Sequence, residues 1–437
     1  MLSIIIILSI ALAIFLGYRT KINTGLFCIV FAYIIGCFVM GLKPKQVIGF
    51  WPTNTMFVIL SVSLFYNFAA INGTLEKMSG ALLYACRNFP GLLPYALFAV
   101  AVILSVMGAT YFTVLAFLAP ITLVICDESR MDKLTGAVAI NCGALAGGNF
   151  PTSNLGVVFR GLADTAYEAS PDIPAVDSFN MEMKIFIFAI IFSLILITIF
   201  RFGFKENRNI GKGVTFKKPE AFTKEQKTTL TLMLAMMAVV LIFPLLNILM
   251  SGNTAVKYIS GKVDVGLVAI IFTVIALLLK LAPQKEAIAR IPWNTIIMIA
   301  GAGMLIAVAV EAGTIEALST WIGSNVPKPL VPIAFCLVGA IMSFFSSTTG
   351  VVAPALFPLI PNLAASVGLS APVLFACTIL GAQSSAISPF SSGGSLILGS
   401  TPKEEERNEL FNRLLMVAVP ISVITCTVYN FVIAMVL

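Results

Sequence analysis

The sequence predicts an all-α polytopic membrane protein built from two inverted repeats, each with five membrane spans and one re-entrant hairpin. Three observations lead to this prediction. Of the 437 residues, 59% are apolar and only 11% are charged, with a mean hydropathy of +1.01, which excludes a soluble globular domain. Apolar runs close to the ~20 residues that a bilayer core requires recur along the chain. Small, polar, helix-breaking patches also recur in the two halves at an offset of 238 residues.

The first repeat is predicted over residues 1–204. Its opening apolar run lacks a basic start and a small-residue cleavage site, so we expect a span rather than a signal peptide. Residues 75–90 follow a helix-start sequence and are predicted to form an amphipathic connector at the membrane interface. The predicted elements are spans at 1–17, 24–41 and 53–72, a hairpin at 92–126, a broken span at 134–160 and a span at 183–203.

Two stretches of this repeat are interrupted near the middle of the membrane. The apolar run at 92–126 is too long for one span and contains Gly108-Ala109-Thr110, so two half-length helices meeting at a polar tip are expected. The run at 134–160 contains two glycines, a proline and four short polar side chains from Gly147 to Asn154, a combination that unwinds a helix. Such backbone survives at membrane depth only inside protein or beside a cavity.

A basic linker at 205–228 separates the repeats, and the second repeat is predicted over 229–437. The stretch from Arg201 to Lys227 holds eight Lys or Arg residues, so we place the linker in the cytoplasm and the acidic loop at 161–182 outside. The predicted elements are spans at 229–250, 263–282 and 293–312, a hairpin at 330–362, a broken span at 371–398 and a span at 411–436.

Five crossings per repeat make the two repeats antiparallel. The first hairpin then opens to the cytoplasm and the second to the outside, and both termini lie outside. We expect a multi-pass protein of the cell inner (plasma) membrane.

The remaining composition removes several classes of function. The net charge of +7 is carried by loops beside apolar spans, so a lipid bilayer rather than nucleic acid is the expected partner. The eight cysteines form no CxxC pair and are predicted to be small buried apolar residues. Histidine, the commonest metal ligand and general base, is absent. We expect no resident cofactor.

The four interrupted stretches offer chemistry for an anion and a cation. Hydroxyls and free N–H groups at half-helix starts bind carboxylates, while carbonyls at half-helix ends suit a small hard cation. Close helix packing is the alternative explanation, because small residues are enriched where membrane helices touch. The candidate substrate residues are Gly108, Ala109, Thr110, Asn149, Thr152, Ser153, Asn154, Arg160, Ser346, Ser347, Thr348, Thr349, Ser388, Ser391 and Ser392, and the candidate Na+ ligands are Ser105, Gly148, Asn149, Ser343, Ser346, Ser384 and Ser385.

Arg160 is the one cation near a broken span, and its counterpart in the second repeat is Leu398. It could pair a substrate carboxylate. The alternative is that it ends the span by reaching the lipid headgroups.

The segment Ala69-Ala70-Ile71-Asn72-Gly73-Thr74-Leu75-Glu76, with the hairpin that follows Pro94, resembles the bacterial malonate/dicarboxylate carriers. The whole-chain plan is similar to the ion transporter superfamily, which includes the divalent anion/sodium symporters. This resemblance implies a homodimeric elevator in which hairpins and broken helices carry the substrate. Those symporters bear a Ser-Asn-Thr motif at each hairpin tip. Ser346-Ser347-Thr348 is close to it, whereas Gly108-Ala109-Thr110 keeps only the threonine.

Together these features predict a secondary transporter rather than an enzyme, moving a small organic anion such as a three- or four-carbon dicarboxylate. Na+ is the expected coupling ion, because the stretches 143–156 and 381–394 contain neutral oxygens and no titratable carboxylate or imidazole. The alternatives are an arsenite or Na+/H+ antiporter, a proton-coupled dicarboxylate symporter, a passive channel and an intramembrane hydrolase. The hydrolase lacks a histidine base.

Overall fold

The computed structural model describes residues 2–20, 22–85, 90–204, 207, 220–249, 253–260, 262–344, 348–401 and 404–436. Within these ranges every regular element is helical and no strand occurs, as the predicted all-α class requires. Ser346 and Ser347, the side chain of Ser392 and most of the basic linker lie outside the described residues.

The described part of the first half contains ten α-helices, and π-helical residues Ile34–Val39 extend the second of them. They are α1 Leu2–Thr20, α2 Thr24–Tyr33, α3 Pro44–Gly49, α4 Thr53–Ile71, α5 Thr74–Ala85, α6 Leu93–Val106, α7 Tyr111–Ser129, α8 Lys133–Gly148, α9 Asn154–Glu168 and α10 Ser178–Gly203.

The described part of the second half contains thirteen further α-helices, and the π-helical residues Thr348–Val352 lie directly before the four-residue helix Ala353–Leu356. They are α11 Lys224–Leu249, α12 Thr254–Ser260, α13 Val265–Leu278, α14 Gln284–Ala289, α15 Trp293–Glu311, α16 Thr314–Asn325, α17 Val331–Phe344, α18 Ala353–Leu356, α19 Ile360–Val367, α20 Ala371–Ser384, α21 Ser392–Gly399, α22 Glu404–Arg413 and α23 Val419–Val436.

The helices are those of a multi-pass membrane protein. Among the described residues, three continuous helical segments are long and apolar enough to cross a bilayer: Ser178–Gly203, Thr348–Val367 and Glu404–Val436. Shorter apolar helices of 10–17 residues accompany them, including Leu93–Val106 and Ala371–Ser384. Large apolar side chains on the outer surface, such as Phe38 (72% exposed) and Leu278 (76% exposed), face a medium that must be apolar.

Glycine allows the helices beside the two interruptions to pack at backbone contact. A Cβ added to Gly143 on α8 would lie 2.5 Å from the carbonyl oxygen of Phe98 on α6. A Cβ added to Gly381 on α20 would lie 2.3 Å from the carbonyl oxygen of Cys336 on α17. Both residues of the second contact follow those of the first by 238 positions, so the same close packing occurs in both halves.

Polar contacts tie the ends of three helices together at one end of the bundle. Asp132 is the N-cap of α8, where its Oδ2 accepts a hydrogen bond from the Thr135 amide at 3.3 Å. Its Oδ1 accepts one from Arg413 Nη1 on α22 at 2.6 Å, and its backbone amide donates to Asn207 Oδ1 at 2.9 Å. Lys133 and Glu406 form an ion pair at 2.6 Å beside them. This cluster fixes α8 and α22 relative to the segment that follows α10.

Candidate functional site

The interrupted stretches of both halves meet at one cavity of about 410 Å3. Six of the residues predicted from the sequence line it: Thr110, Asn154, Ser343, Thr348, Thr349 and Ser391. They come from the two hairpin regions and from both broken spans. Stretches that are far apart in the sequence and share only their small polar composition are therefore brought to one place.

The first tip is shaped by Gly108. Its φ of +91° is a conformation that other residues rarely adopt. A Cβ there would lie 2.2 Å from the Tyr66 ring, so the packing also requires glycine. Thr110 then caps α7, because its Oγ1 accepts a hydrogen bond from the Thr113 amide at 3.2 Å. Thr110 is a lining residue of the cavity, whereas Gly108 and Ala109 only support it.

The second tip is described on both sides of residues 345–347. Ser343, near the end of α17, lies with its Oγ 3.3 Å from the Thr348 Oγ1, so one hydroxyl donates to the other. Ser343, Thr348 and Thr349 all line the cavity. Hydroxyl groups thus face the cavity from the second tip as they do from the first.

The two broken spans are joined by a pair of side-chain amides. Asn149 Nδ2 donates to Gln383 Oε1 at 3.0 Å, and Gln383 Nε2 donates to Asn149 Oδ1 at 2.7 Å. Asn149 is fully buried and Gln383 is 6% exposed. Gln383 lines the cavity, while the amide of Asn149 is engaged behind it.

The serines at the breaks mostly hydrogen-bond to helix backbone. Ser391 caps α21 and donates its hydroxyl to the carbonyl of Ala386 at 2.5 Å. In the first repeat, Ser153 donates to the carbonyl of Gly148 in the same way. Ser153 and Gly148 precede Ser391 and Ala386 by 238 positions each, so the two hydrogen bonds are equivalent in the repeat. Ser384 and Ser385 donate to the carbonyls of Gly381 (2.6 Å) and Ala340 (2.7 Å). Their hydroxyl oxygens keep lone pairs for a cation, since each hydroxyl has two.

Three candidates are buried away from the cavity lining. Ser105 and Thr152 are 0% and 1% exposed, and neither hydroxyl has a hydrogen-bond partner among the described residues. Ser388 is fully buried, and its Oγ accepts a hydrogen bond from the Phe390 amide at 3.2 Å. Ser105 lies beside the first tip, whereas Thr152 and Ser388 lie at the breaks, and none of the three lines the cavity.

Arg160 does not line the cavity at the tips. It lines a second cavity of about 990 Å3, together with Asp164, Asp264 and Glu311. Its Nη1 donates to the carbonyl of Pro151 at 3.2 Å, and its guanidinium lies 5.3 Å from the centre of the Phe179 ring. Arg160 therefore braces the first broken span from the far side of the break.

The sequence reasoning missed several polar lining residues, among them Tyr111, Asn67, Gln383 and Arg290. Tyr111 follows the first tip and crosses to both broken spans, where its hydroxyl donates to Asn141 Oδ1 (2.6 Å) and lies 3.4 Å from the Ala386 carbonyl. Because Tyr111 directly follows the tip residue Thr110 in the sequence, it could have been predicted as a site residue. Asn67, Gln383 and Arg290 also line the cavity, and Arg290 is the one charged residue among the described lining residues. Arg290 pairs with Glu286 at 2.8 Å.

Comparison with known proteins gives two family matches over separate parts of the chain. Residues 1–148 match the model of the dicarboxylate carrier protein MatC N-terminus, and residues 255–436 match the citrate transporter model. A search of curated proteins finds no match.

Two solved structures show the same fold at low sequence identity. The Alcanivorax borkumensis YdaH transporter, described as having an unusual topology, is 15% identical with a TM-score of 0.62, over 89% of this chain and 87% of that chain. Neisseria gonorrhoeae MtrF, described within a class of antimetabolite efflux pumps, is 14% identical with a TM-score of 0.62, over 93% of this chain and 84% of that chain.

Proposed function

We propose that this chain, a membrane transporter of the dicarboxylate-carrier and citrate-transporter type, moves a small organic anion coupled to a cation. A three- or four-carbon dicarboxylate is the first candidate substrate, and Na+ is the first candidate ion. The observation that carries this proposal is the single cavity on which both tips and both broken spans converge. The family matches confirm the resemblance to the dicarboxylate carriers.

Three helix starts around the cavity favour an anion. Helix α7 begins after Thr110, α9 after Ser153 and α21 after Ser391, and residues from the first turns of all three line the cavity. Unpaired N–H groups and the positive dipole ends at such starts attract carboxylates. Arg290 adds a formal positive charge at the edge. A dianion is thus matched by donors from three directions.

The ends of the opposite half-helices favour a small hard cation. Helix α8 ends at Gly148 and α20 at Ser384, so carbonyl groups without a helical partner lie at each break. The neighbouring hydroxyls and amides are neutral oxygen donors. This arrangement supports Na+ as the coupling ion, and the ion would sit behind the anion at the joined breaks.

Two polar contacts support the proposed antiparallel arrangement of the repeats. Asn23 Nδ2 donates to the carbonyl of Asn294 at 2.8 Å. Asn23 precedes the predicted span 24–41 and Asn294 lies at the start of the span 293–312, both at ends that the sequence places on the cytoplasmic side. Asn362 Nδ2 donates to Ser170 Oγ at 3.1 Å, and both belong to segments placed outside. Arg290 belongs to a cytoplasmic segment in this arrangement, so we propose that the cavity at the tips opens to the cytoplasm here. The elevator motion and the homodimer remain predictions from the resemblance.

Uptake into proteoliposomes tests the proposed function. Labelled malonate and succinate are expected to accumulate under an inward Na+ gradient, and unlabelled dicarboxylates should compete while monocarboxylates compete less. A Thr110→Ala/Thr348→Ala variant serves as the matched control because it removes one hydroxyl from each tip. Failure of every mono-, di- and tricarboxylate either to accumulate or to raise the melting temperature of the purified protein would contradict the proposal.

A further inference from the structure

Glu182 is a carboxylate inside the transmembrane helix α10 that the transport site does not use. Its side chain is 0% exposed, and neither carboxylate oxygen has a hydrogen-bond partner among the described residues. An ionised carboxylate without hydrogen bonds is strongly disfavoured away from water. Ionisable groups within membrane spans are rare and usually functional. The position of Glu182 therefore requires an explanation.

The positive charge of Arg160 on α9 interacts electrostatically with this carboxylate. The two side chains do not form an ion pair within 4 Å in the described structure, since the Arg160 guanidinium donates instead to the Pro151 carbonyl. Its Nε has no hydrogen-bond partner among the described residues and remains available. Arg160 can thus satisfy either the broken span or Glu182.

The other charged groups near this pair come from few elements. The positive charge of Arg160 is attracted by the carboxylates of Asp164, Asp177 and Asp264 as well as by that of Glu182. Helices α6, α20 and α23, which also pack on α10, contain no Asp, Glu, Lys or Arg. The charged residue of α8, Lys133, pairs with Asp127 and Glu406 at its start. The remaining charged groups on α9 and α10 are Glu168, Lys184 and Arg201. The other titratable groups on these helices are thiols and phenols: Cys142, Cys377, Cys426, Tyr95, Tyr167 and Tyr429.

Water can reach Arg160, on one side of Glu182, through a cavity. Arg160 and Asp164 line the cavity of about 990 Å3, and Asp164 Oδ2 accepts a hydrogen bond from Ser178 Oγ in the first turn of α10 at 3.2 Å. Glu182 itself does not line that cavity. A proton leaving Glu182 would pass Arg160 and Asp164 to reach water.

We propose that Glu182 is a proton-binding site of this transporter. In the described conformation its carboxyl is neutral and apart from Arg160. When the proton passes to cavity water, the carboxylate pairs with Arg160, which then releases the Pro151 carbonyl at the first broken span. Proton release at Glu182 is thereby linked to the shape of the substrate site, whichever cation the neutral oxygens bind. This inference rests on the proposed transport function.

Infrared spectroscopy of the whole protein in liposomes tests proton binding without any substrate. In a titration between pH 5 and 9, the wild type should show the C=O absorption of a buried protonated carboxyl, which disappears as pH rises. Glu182→Gln should lack that signal, and the matched variant Asp172→Asn, at an exposed acidic position, should keep it. Identical difference spectra for the wild type and Glu182→Gln would overturn the proposal, even if uptake assays support a dicarboxylate transporter.

Arg160→Gln provides a second measurement that does not depend on the folding of the Glu182 variant. Removing the cation that stabilises the ionised carboxylate should move the midpoint of the infrared titration upwards by at least one pH unit, which is a tenfold increase in proton affinity. Arg160→Lys keeps the charge and should shift it less. An unchanged midpoint in Arg160→Gln would overturn the link between the two residues.

A transport measurement then tests whether the protonation of Glu182 affects the rate of substrate uptake. With a fixed Na+ gradient and saturating dicarboxylate, the initial uptake rate of the wild type should change severalfold over the pH range of the infrared transition. The rate of Glu182→Gln should be independent of pH over the same range. A pH profile in Glu182→Gln that matches the wild type would contradict the proposed role in transport.

Discussion

The side-chain amides of Asn149 and Gln383 exchange two hydrogen bonds and so join the breaks of the two broken spans. This contact has no counterpart within the repeat. At the offset of 238 residues, Asn149 corresponds to Ile387 and Gln383 corresponds to Leu145, neither of which can form it. The pair therefore sets the position of one half relative to the other beside the cavity.

Gln383→Leu should lower the free energy of unfolding by about 1–3 kcal/mol, because it leaves the buried Asn149 amide without partners. Asn149→Leu should have a similar effect. The double variant should cost less than the sum of the two, since no unpaired amide remains. Denaturant titration of the purified protein in detergent measures all three. Asn325→Ala, at an exposed amide that bonds to its own helix, is the control. Strict additivity would show that the two amides are not coupled.

Gly143→Ala and Gly381→Ala should each lower stability by about 1–3 kcal/mol, because the new methyl group would meet a backbone carbonyl of the facing helix. The two effects should be similar, since the two contacts are equivalent in the halves. Thermal unfolding provides the measurement. Gly399→Ala is the control, because nothing lies within 4 Å of its added Cβ. A loss at only one of the two glycines would show that the halves pack differently.

The interruptions and their convergence could be anticipated because they depend on local composition. Gly108, Thr110 and Ser391 disrupt helices or cap them wherever they occur, and the repeat indicated that the patches belong together. Arg290 and Gln383 could not be found in this way, since their place at the cavity follows from the packing of helices distant in sequence. Glu182 was read as the end of an acidic outer loop. Its burial depends on how α10 packs against α9, which no local pattern reports.

Thr348→Ala should raise the apparent KM for a dicarboxylate about fivefold, because one hydrogen bond to a charged substrate in a wet cavity is worth about 1 kcal/mol. Its kcat should change little if the hydroxyl contacts the substrate equally throughout transport. Adding Ser346→Ala and Ser347→Ala should abolish saturable uptake. Ser366→Ala is the control, because this hydroxyl bonds to the Leu363 carbonyl within its own helix. Normal uptake by the triple variant would remove the second tip from the site.

Single cysteines at Asp172 and Lys212, in a background without the native cysteines, should react from opposite sides of the membrane. The acidic loop places Asp172 outside, and the basic linker places Lys212 inside. An impermeant maleimide applied to intact cells should label the first and not the second. Permeabilised cells, in which both must react, provide the control. Labelling of both residues in sealed cells would contradict the antiparallel arrangement.

The two breaks support the prediction of sodium coupling, whereas the proposed proton-binding site at Glu182 makes the proton the alternative coupling ion. The donors at the breaks, among them Ser384, Ser385 and the carbonyl groups at the end of α8, are neutral oxygens that suit a hard monovalent cation. At fixed pH on both sides, proteoliposomes with an inward Na+ gradient should accumulate dicarboxylate well above an equal K+ gradient. Ser385→Ala should raise the Na+ concentration needed for half-maximal uptake while leaving the substrate specificity unchanged, because it removes an ion ligand and no substrate contact. Equal accumulation with Na+ and K+, together with stimulation by an inward proton gradient that Glu182→Gln abolishes, would make the proton the driving ion instead.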